Sequence, residues 1–332
     1  MGVATLRRSP LRCFAVEVAA VRRLSPSFVR ITFRGDALRE FGDGTSGDPA
    51  ARRTFDDLRV KLIIPPHRTA PPVPLELGQG WYPRWLALDP ALRGCMRTYT
   101  VRTARLDGDE PQLDVDFVLH LDPDGAGGAA AVWAAGARPG DQLMLLGPTA
   151  HVGGYGGAAW QPPPGDPDAP VRVLLAGDET AAPAICAILE GLPAGYAGHA
   201  VIEVPAVDDA LPVATASAVE QVWLPREGVA HGESLCTAVR RLLPARPAAQ
   251  PVRIPEVDVD RELLWDVADA AAPGHDPGDP SSDPGRTAPA YAWVAGEAAT
   301  VRDIRRHLVG AVRLPRRSVS FLGYWRQGRT EG

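Results

Sequence analysis

Five prolines crowd residues 161–170, at positions 162, 163, 164, 167 and 170. Each proline fixes φ and removes a backbone donor, so this stretch can be neither helix nor central strand. It reads as a semi-rigid linker. It also divides a chain of 332 residues, longer than the roughly 250–300 residues at which single hydrophobic cores stop growing. Two domains are expected, over residues 11–160 and 171–329. A second Pro-, Asp- and Ala-rich stretch, 244–290, reads as a long surface insertion in the second domain.

The two sides of the linker differ in pattern. Before it, short apolar runs bounded by turns dominate, at 13–21, 27–33, 58–64, 97–104, 113–119 and 142–146. In Leu113-Asp-Val-Asp-Phe-Val-Leu119 apolar residues largely alternate with acids, as in a strand with one wet face. Six such strands predict an antiparallel β-barrel. Beyond the linker, strands at 171–176, 200–204, 219–224, 291–295 and 318–324 alternate with helices at 181–192, 233–243 and 298–309. That order predicts an α/β domain with a parallel sheet. The fold class is therefore β followed by α/β.

Charge narrows the partners. The chain holds 40 Asp and Glu against 35 Lys and Arg, a net charge of −5. All of that excess lies between Arg246 and Arg286, where nine acids face four arginines. From Arg302 to Arg329 eight arginines meet one acid, Asp303. No nucleic-acid partner is expected from this balance. No apolar run reaches the roughly 18 residues of a membrane span, and no secretory signal is expected at the start, so a cytoplasmic location is expected; a monomer is expected as well. The four cysteines are scattered and the histidines isolated, so no protein metal site is expected.

The sharpest motif is Arg97-Thr-Tyr-Thr-Val-Arg102. On a strand Arg97, Tyr99 and Val101 share one face, with Thr98, Thr100 and Arg102 opposite. A flavin dinucleotide needs a cation for its pyrophosphate, a flat ring against the isoalloxazine and a hydrogen-bond partner near N5. Arg, Tyr and Thr within four residues offer all three. Beyond the linker, Gly177-Asp-Glu-Thr-Ala-Ala-Pro-Ala-Ile185 sits where a buried strand ends and a helix begins, with Pro183 suited to the first turn. Ligands in open α/β sheets bind there. Asp178 and Glu179 would repel phosphate, so with Thr180 they suit a helix cap or the ribose and amide groups of a nucleotide. No G-x-G-x-x-G follows the strand. Glu203, at the end of the next strand, can accept from an adenosine ribose. Arg226, after the strand beyond, can hold a 2′-phosphate. Glu297 is placed to stabilise a helix start. Along 298–309, Val301, Ile304 and Leu308 recur as a core face, which leaves Arg302, Arg305 and Arg306 largely outward.

These motifs, in this order, resemble the siderophore-interacting proteins, NAD(P)H-dependent ferric-siderophore reductases of ferredoxin-reductase-like fold. The R-x-Y-T-x-R strand is similar to their flavin signature, and Gly177–Ile185 to their G-D-E-T-A-x-P-A-I. Gly323-Tyr-Trp-Arg-Gln-Gly328 is similar to their G-Y-W-R-x-G. His120 and the loop Gly127-Gly-Ala-Ala-Ala-Val-Trp133 are similar to His…Gly-Pro-Ala-Ser-x-Trp, with Ala129 in place of Pro and Ala131 in place of Ser. The resemblance implies FAD held by Arg97, Thr98, Tyr99, Thr100, Arg102 and His120, and by backbone N–H groups of Gly128, Ala129, Ala130 and Ala131. It implies NADPH or NADH as co-substrate near Asp178, Glu179, Thr180, Glu203, Arg226 and Glu297, with Tyr324 or Trp325 over the flavin or lining the substrate cleft. Arg302, Arg305, Arg306 and Arg313 would draw in an anionic ferric siderophore. Hydride from the nucleotide would reach the flavin, and single electrons would then reduce Fe(III) and release Fe(II). The alternatives are a flavin reductase of this fold with another electron acceptor, and a siderophore- or flavin-binding protein without turnover.

Overall fold

The computed structural model describes residues 9–42, 55–67, 75–122, 124–246, 264–268 and 289–328. The chain divides between Ala158 and Ala159 into two compact units.

The first unit is built on seven strands: β1 (Leu11–Arg23), β2 (Phe28–Arg34), β3 (Arg59–Ile64), β4 (Cys95–Thr100), β5 (Thr103–Arg105), β6 (Gln112–Val118) and β7 (Gln142–Pro148). They pair in the order β4-β3-β7-β1-β2-β6-β5, every pair antiparallel. Alternation does the folding: in β1 Phe14, Val16 and Val18 turn inward, and in β2 Ile31 and Phe33 do. They meet Phe117 and Trp133 in one core, where Trp133 stacks on Phe33 at 6.4 Å. Burying each of these large side chains stabilises the unit by about 1.5–3 kcal/mol.

The strand expected at 97–104 is two strands. β4 and β5 are consecutive in sequence yet lie at opposite edges of the sheet. Only Val101 and Arg102 join them. The Val101 N–H donates to the Leu58 carbonyl at 2.8 Å and the Arg102 N–H to the Asp114 carbonyl at 2.8 Å. The sheet therefore curls until its edges are bridged by two residues, a half-barrel whose seam is the Arg97–Arg102 motif. The face of β6 expected to be wet is roofed instead. Asp114 and Asp116 are each 5% exposed. Arg105 clamps Asp114 at 2.7 and 2.8 Å, and Arg30 clamps Asp116 at 2.6 and 2.7 Å. A buried carboxylate demands such partners. Two short helices between β3 and β4, α1 (Trp81–Leu86) and α2 (Pro90–Arg93), have no counterpart in the sequence expectation. The second carried a readable signal: the Asp89 carboxylate accepts from the Ala91 N–H at 2.9 Å, with Pro90 in the first turn. The third helix is α3 (Ala129–Ala135).

The second unit alternates β8 (Val171–Gly177), α4 (Ala182–Gly191), β9 (Tyr196–Val204), β10 (Ala218–Pro225), α5 (Glu233–Leu242), β11 (Trp265–Asp266), β12 (Tyr291–Glu297), α6 (Ala298–Arg305) and β13 (Val319–Trp325). The sheet order is β10-β9-β8-β12-β13-β11. The first five strands in that order pair in parallel, as expected. β11 pairs antiparallel with β13, so a piece of the expected insertion closes the sheet edge. The rest of 244–290, apart from residues 244–246, 264, 267, 268, 289 and 290, lies outside the described residues. Val301, Ile304 and Leu308 face the core as the spacing predicts. The helix itself ends at Arg305 and widens into a π-type turn over Arg306–Ala311.

The proline stretch is fastened at its start. Tyr291 Oη donates to the Ala159 carbonyl at 2.9 Å and accepts from the Gln161 N–H at 3.1 Å, while Tyr196 Oη donates to the Pro163 carbonyl at 2.8 Å. Strand order reverses between β8 and β12. In open α/β sheets ligands bind at such a switch point, outside the carboxyl ends of the strands, and Gly177 and Glu297 lie at those ends.

Candidate functional site

In the first unit the motif strand β4 is a sheet edge, and an edge presents backbone N–H and C=O groups to a ligand. Thr98 is exposed and takes a 3.1 Å hydrogen bond from Lys61 Nζ. Arg97 is half-buried, with Nη1 donating to the Met96 carbonyl at 2.8 Å. One face of the half-buried Tyr99 ring packs on Phe117, centroids 4.3 Å apart, and burial pushes its hydroxyl pKa up. Thr100 is 6% exposed. Arg102 is also 6% exposed, and its Nε lies 3.6 Å from Asp116. Its expected flavin contact gives way to a share in the roof over that acid.

His120, exposed at the end of β6, leads into a tight return. Leu121 bridges to Gly127, and a Cβ on Gly127 would lie 2.5 Å from the His120 carbonyl oxygen, so only glycine fits there. The return delivers Gly128 to the start of α3, where no side chain caps the helix. The first N–H groups of a helix lack internal partners. Those of Ala129, Ala130 and Ala131 are therefore left without a side-chain cap, and a Cβ on Gly128 would meet nothing within 4 Å. A guanidinium, an aromatic ring, an exposed hydroxyl and an uncapped helix start fit FAD.

In the second unit the switch point holds a network of charged groups. Asp178 is 1% exposed. Its Oδ1 accepts from Thr180 N–H at 2.9 Å and Thr180 Oγ1 at 2.5 Å. Its Oδ2 accepts from Glu297 N–H at 2.7 Å and Trp325 Nε1 at 2.9 Å. Gly296 makes this approach possible, because a Cβ there would lie 2.5 Å from Asp178 Oδ2. Burial and the neighbouring Glu179 charge push the Asp178 carboxyl above the usual carboxylate range, against these donors. Glu179, also 1% exposed, receives both arms of the Arg226 guanidinium, at 2.6 and 2.9 Å. Glu297 caps α6, accepting from Thr300 N–H at 2.9 Å.

Three sequence expectations change here. Glu203, expected at a ribose, is fully buried, and its two oxygens accept from Gly232 N–H at 2.8 Å and Leu235 N–H at 3.0 Å. It caps α5, whose start at Gly232 offers no side chain of its own. Arg226, expected at a 2′-phosphate, is already bound to Glu179, with Glu203 at 3.4 Å. Arg305, expected outward, is 3% exposed and lies over Phe321 at 5.9 Å and beside Asp266 at 3.7 Å. Arg302 and Arg306 both pair with Asp303, at 3.3 and 3.4 Å. Arg313 is half-buried at a left-handed turn, φ 64°. These four arginines therefore do not form one free basic face. Tyr324 packs between Trp265 and Trp293, and Trp325 serves Asp178.

Sequence reasoning missed His231. Its Nε2 lies 3.5 Å from Asp178 and 3.7 Å from Glu179, and its ring meets Trp325 edge-on at 5.1 Å. Desolvation opposes its charge, but Glu179 and Asp178 outweigh that and raise its pKa. A residue isolated in sequence gave no signal; only the return of the chain from β10 to α5 brings it in. Among the described residues no group of three or more His, Cys, Asp or Glu could hold a metal, and no helix is long and apolar enough to cross a membrane.

Known proteins place the chain. Residues 17–152 match the siderophore-interacting FAD-binding domain, and residues 170–328 match siderophore-interacting protein. An uncharacterized protein of Mycobacterium tuberculosis is 32% identical over 330 residues, 97% of this chain and 92% of that protein. The ferric vibriobactin reductase of Vibrio cholerae is 26% identical over 308 residues, 93% of this chain and 87% of that enzyme. The crystal structure of a siderophore utilization protein from T. fusca superposes with a TM-score of 0.64 at 27% identity, covering 97% of this chain and 95% of that one. With an antiparallel half-barrel ahead of a switch-point α/β unit, the fold is that of the ferredoxin reductases, and the chain belongs to the siderophore-interacting protein family.

Proposed function

We propose that the chain is an FAD-dependent oxidoreductase. It takes electrons from a reduced nicotinamide nucleotide and delivers them to the ferric iron of a siderophore, acting as a monomer in the cytoplasm. The observation that carries the proposal is the seam of the half-barrel. It sets Arg97, Thr98 and Tyr99 on an open sheet edge, in a unit that also offers an uncapped helix start at Gly128.

FAD, when bound, supplies the conversion between a hydride pair and single electrons. The chain's own residues position it. Arg97 supplies a fixed positive charge for the pyrophosphate, joined by the N–H groups of Ala129 to Ala131. Tyr99, held from behind by Phe117, offers a ring that needs no reordering to stack. Thr98 and the backbone of β4 offer hydrogen bonds to the ring edge. On the second unit Asp178 fixes the start of α6 and the Trp325 indole, so the floor of the nucleotide crevice is rigid before a nucleotide arrives. No general acid or base is required of the protein, because the substrate's iron receives electrons alone.

The test is turnover of the FAD-loaded full chain under nitrogen, with a hexadentate ferric siderophore and an Fe(II)-trapping chelator. The flavin absorbance bleaches on adding a reduced nicotinamide nucleotide, returns on adding the siderophore, and Fe(II) accumulates at one per electron. A chain that takes up no FAD, or whose reduced flavin does not recover with the siderophore, overturns the proposal.

A further inference from the structure

Arg226 follows β10, two strands out from the switch point. An arginine in that region of a dinucleotide fold commonly receives the 2′-phosphate of NADPH. Here its fork is already filled. Both arms reach Glu179, at 2.6 and 2.9 Å, the paired geometry that makes arginine–carboxylate contacts strong. One arm also lies 3.4 Å from Glu203. The side chains of Glu179 and Glu203 are 2% and 0% exposed, and that of Arg226 only 16%. A phosphate could claim this guanidinium only by leaving two buried carboxylates without their cation, and breaking a buried pair in this way is strongly unfavourable.

The charge around the rim points the same way. Asp178, Glu179 and Glu203 face Arg226 and His231, and the exposed Glu227 adds a further acid on a left-handed turn, φ 46°. Among these groups four are carboxylates, against one guanidinium and one histidine. A 2′-phosphate would bring nearly two more negative charges, whereas a ribose 2′-hydroxyl brings a donor that carboxylates accept. The geometry points to NADH, and not NADPH, as the nucleotide this rim admits, with the Arg226–Glu179 pair as the group that excludes the 2′-phosphate. The inference rests on the function proposed above.

Binding separates the two. Isothermal titration of the full chain with NAD⁺ and NADP⁺, and with 5′-AMP and 2′,5′-ADP, reads the rim without turnover. The unphosphorylated member of each pair is expected to bind about tenfold tighter or better, a difference of ~1.4 kcal/mol. Because repulsion is screened by salt, the ratio should shrink between 0.05 and 0.5 M NaCl as the Debye length falls from roughly 14 to 4 Å. Glu179→Gln should move the ratio toward the phosphorylated nucleotide by about tenfold. Tighter binding of NADP⁺ to the unaltered chain, an NADP⁺ affinity that falls with salt more steeply than that of NAD⁺, or a ratio unmoved by Glu179→Gln would overturn the inference. Selective NAD⁺ binding in a chain that never reduces ferric siderophore would sink the proposed function and leave this inference standing.

Discussion

The strand Arg97–Thr100 and the loop Asp178–Thr180 carry the two sharpest motifs of the sequence, and they are built in opposite ways. The strand is open. It lies at a sheet edge, Thr98 is exposed, and the helix that serves it begins without a side-chain cap. The loop is closed. Asp178 accepts four hydrogen bonds, Glu179 holds an arginine, and both acids are 1% exposed. On the function proposed above, the open strand keeps its donors for a resident cofactor, while the closed loop uses its hydrogen bonds internally and presents a preformed floor to a nucleotide that leaves after each turnover. Substitution should therefore damage folding at the loop and ligand affinity at the strand.

The largest expected effect on stability is at Asp178. Asp178→Asn turns an acceptor into a donor facing donors. It should lower the hydrogen-exchange protection of the Glu297 and Thr180 amides by about 2 kcal/mol or more. Thr98→Ala, on the exposed strand, should leave protection in the first unit within ~0.5 kcal/mol. Equal losses at both sites would erase the distinction.

A smaller effect, and one that sharpens the loop's half of the contrast, concerns His231. The acids raise its pKa above the ordinary 6.5. A group whose folded pKa is raised contributes stability that is complete below the unfolded value and is lost as pH rises through the folded one. Proton NMR should show His231 titrating above its free value. The second unit should lose protection as the pH climbs through that titration, and His231→Gln should flatten the trend. A His231 that titrates below the ordinary value would mean that desolvation wins and that the network is less acidic than its geometry indicates.

Much of this was legible in the sequence for a physical reason. Alternation in β1 and β2, and the strand–helix order after residue 170, report on burial, and burial is local to each element. Val301, Ile304 and Leu308 sit on the core face because period 3.6 leaves them no other. Long-range partners were not legible. Nothing in the spacing of Asp114 and Asp116 tells that Arg30, 86 residues from Asp116, will clamp that acid. Nothing near Arg226 tells that Glu179, 47 residues away, will occupy it. The seam of the half-barrel was hidden in another way: Val101 and Arg102 have the composition of a continuous strand, and only the curl of the sheet breaks β4 from β5. Glu203 shows the general hazard, since the residue type that accepts from a ribose also accepts from a helix start.

The contrast between the two regions is tested most directly by flavin affinity, read as quenching of FAD fluorescence on titration with the full chain. Tyr99→Ala should weaken FAD about tenfold, the value of a lost ring stack. Arg97→Ala should weaken it by at least as much through the lost charge on the pyrophosphate. Glu179→Gln, in the closed loop, should leave FAD affinity within about twofold of the unaltered chain, a difference of less than ~0.5 kcal/mol. Flavin affinity that survives Tyr99→Ala and Arg97→Ala but collapses with Glu179→Gln would contradict the account, because it would put the resident cofactor on the wrong unit.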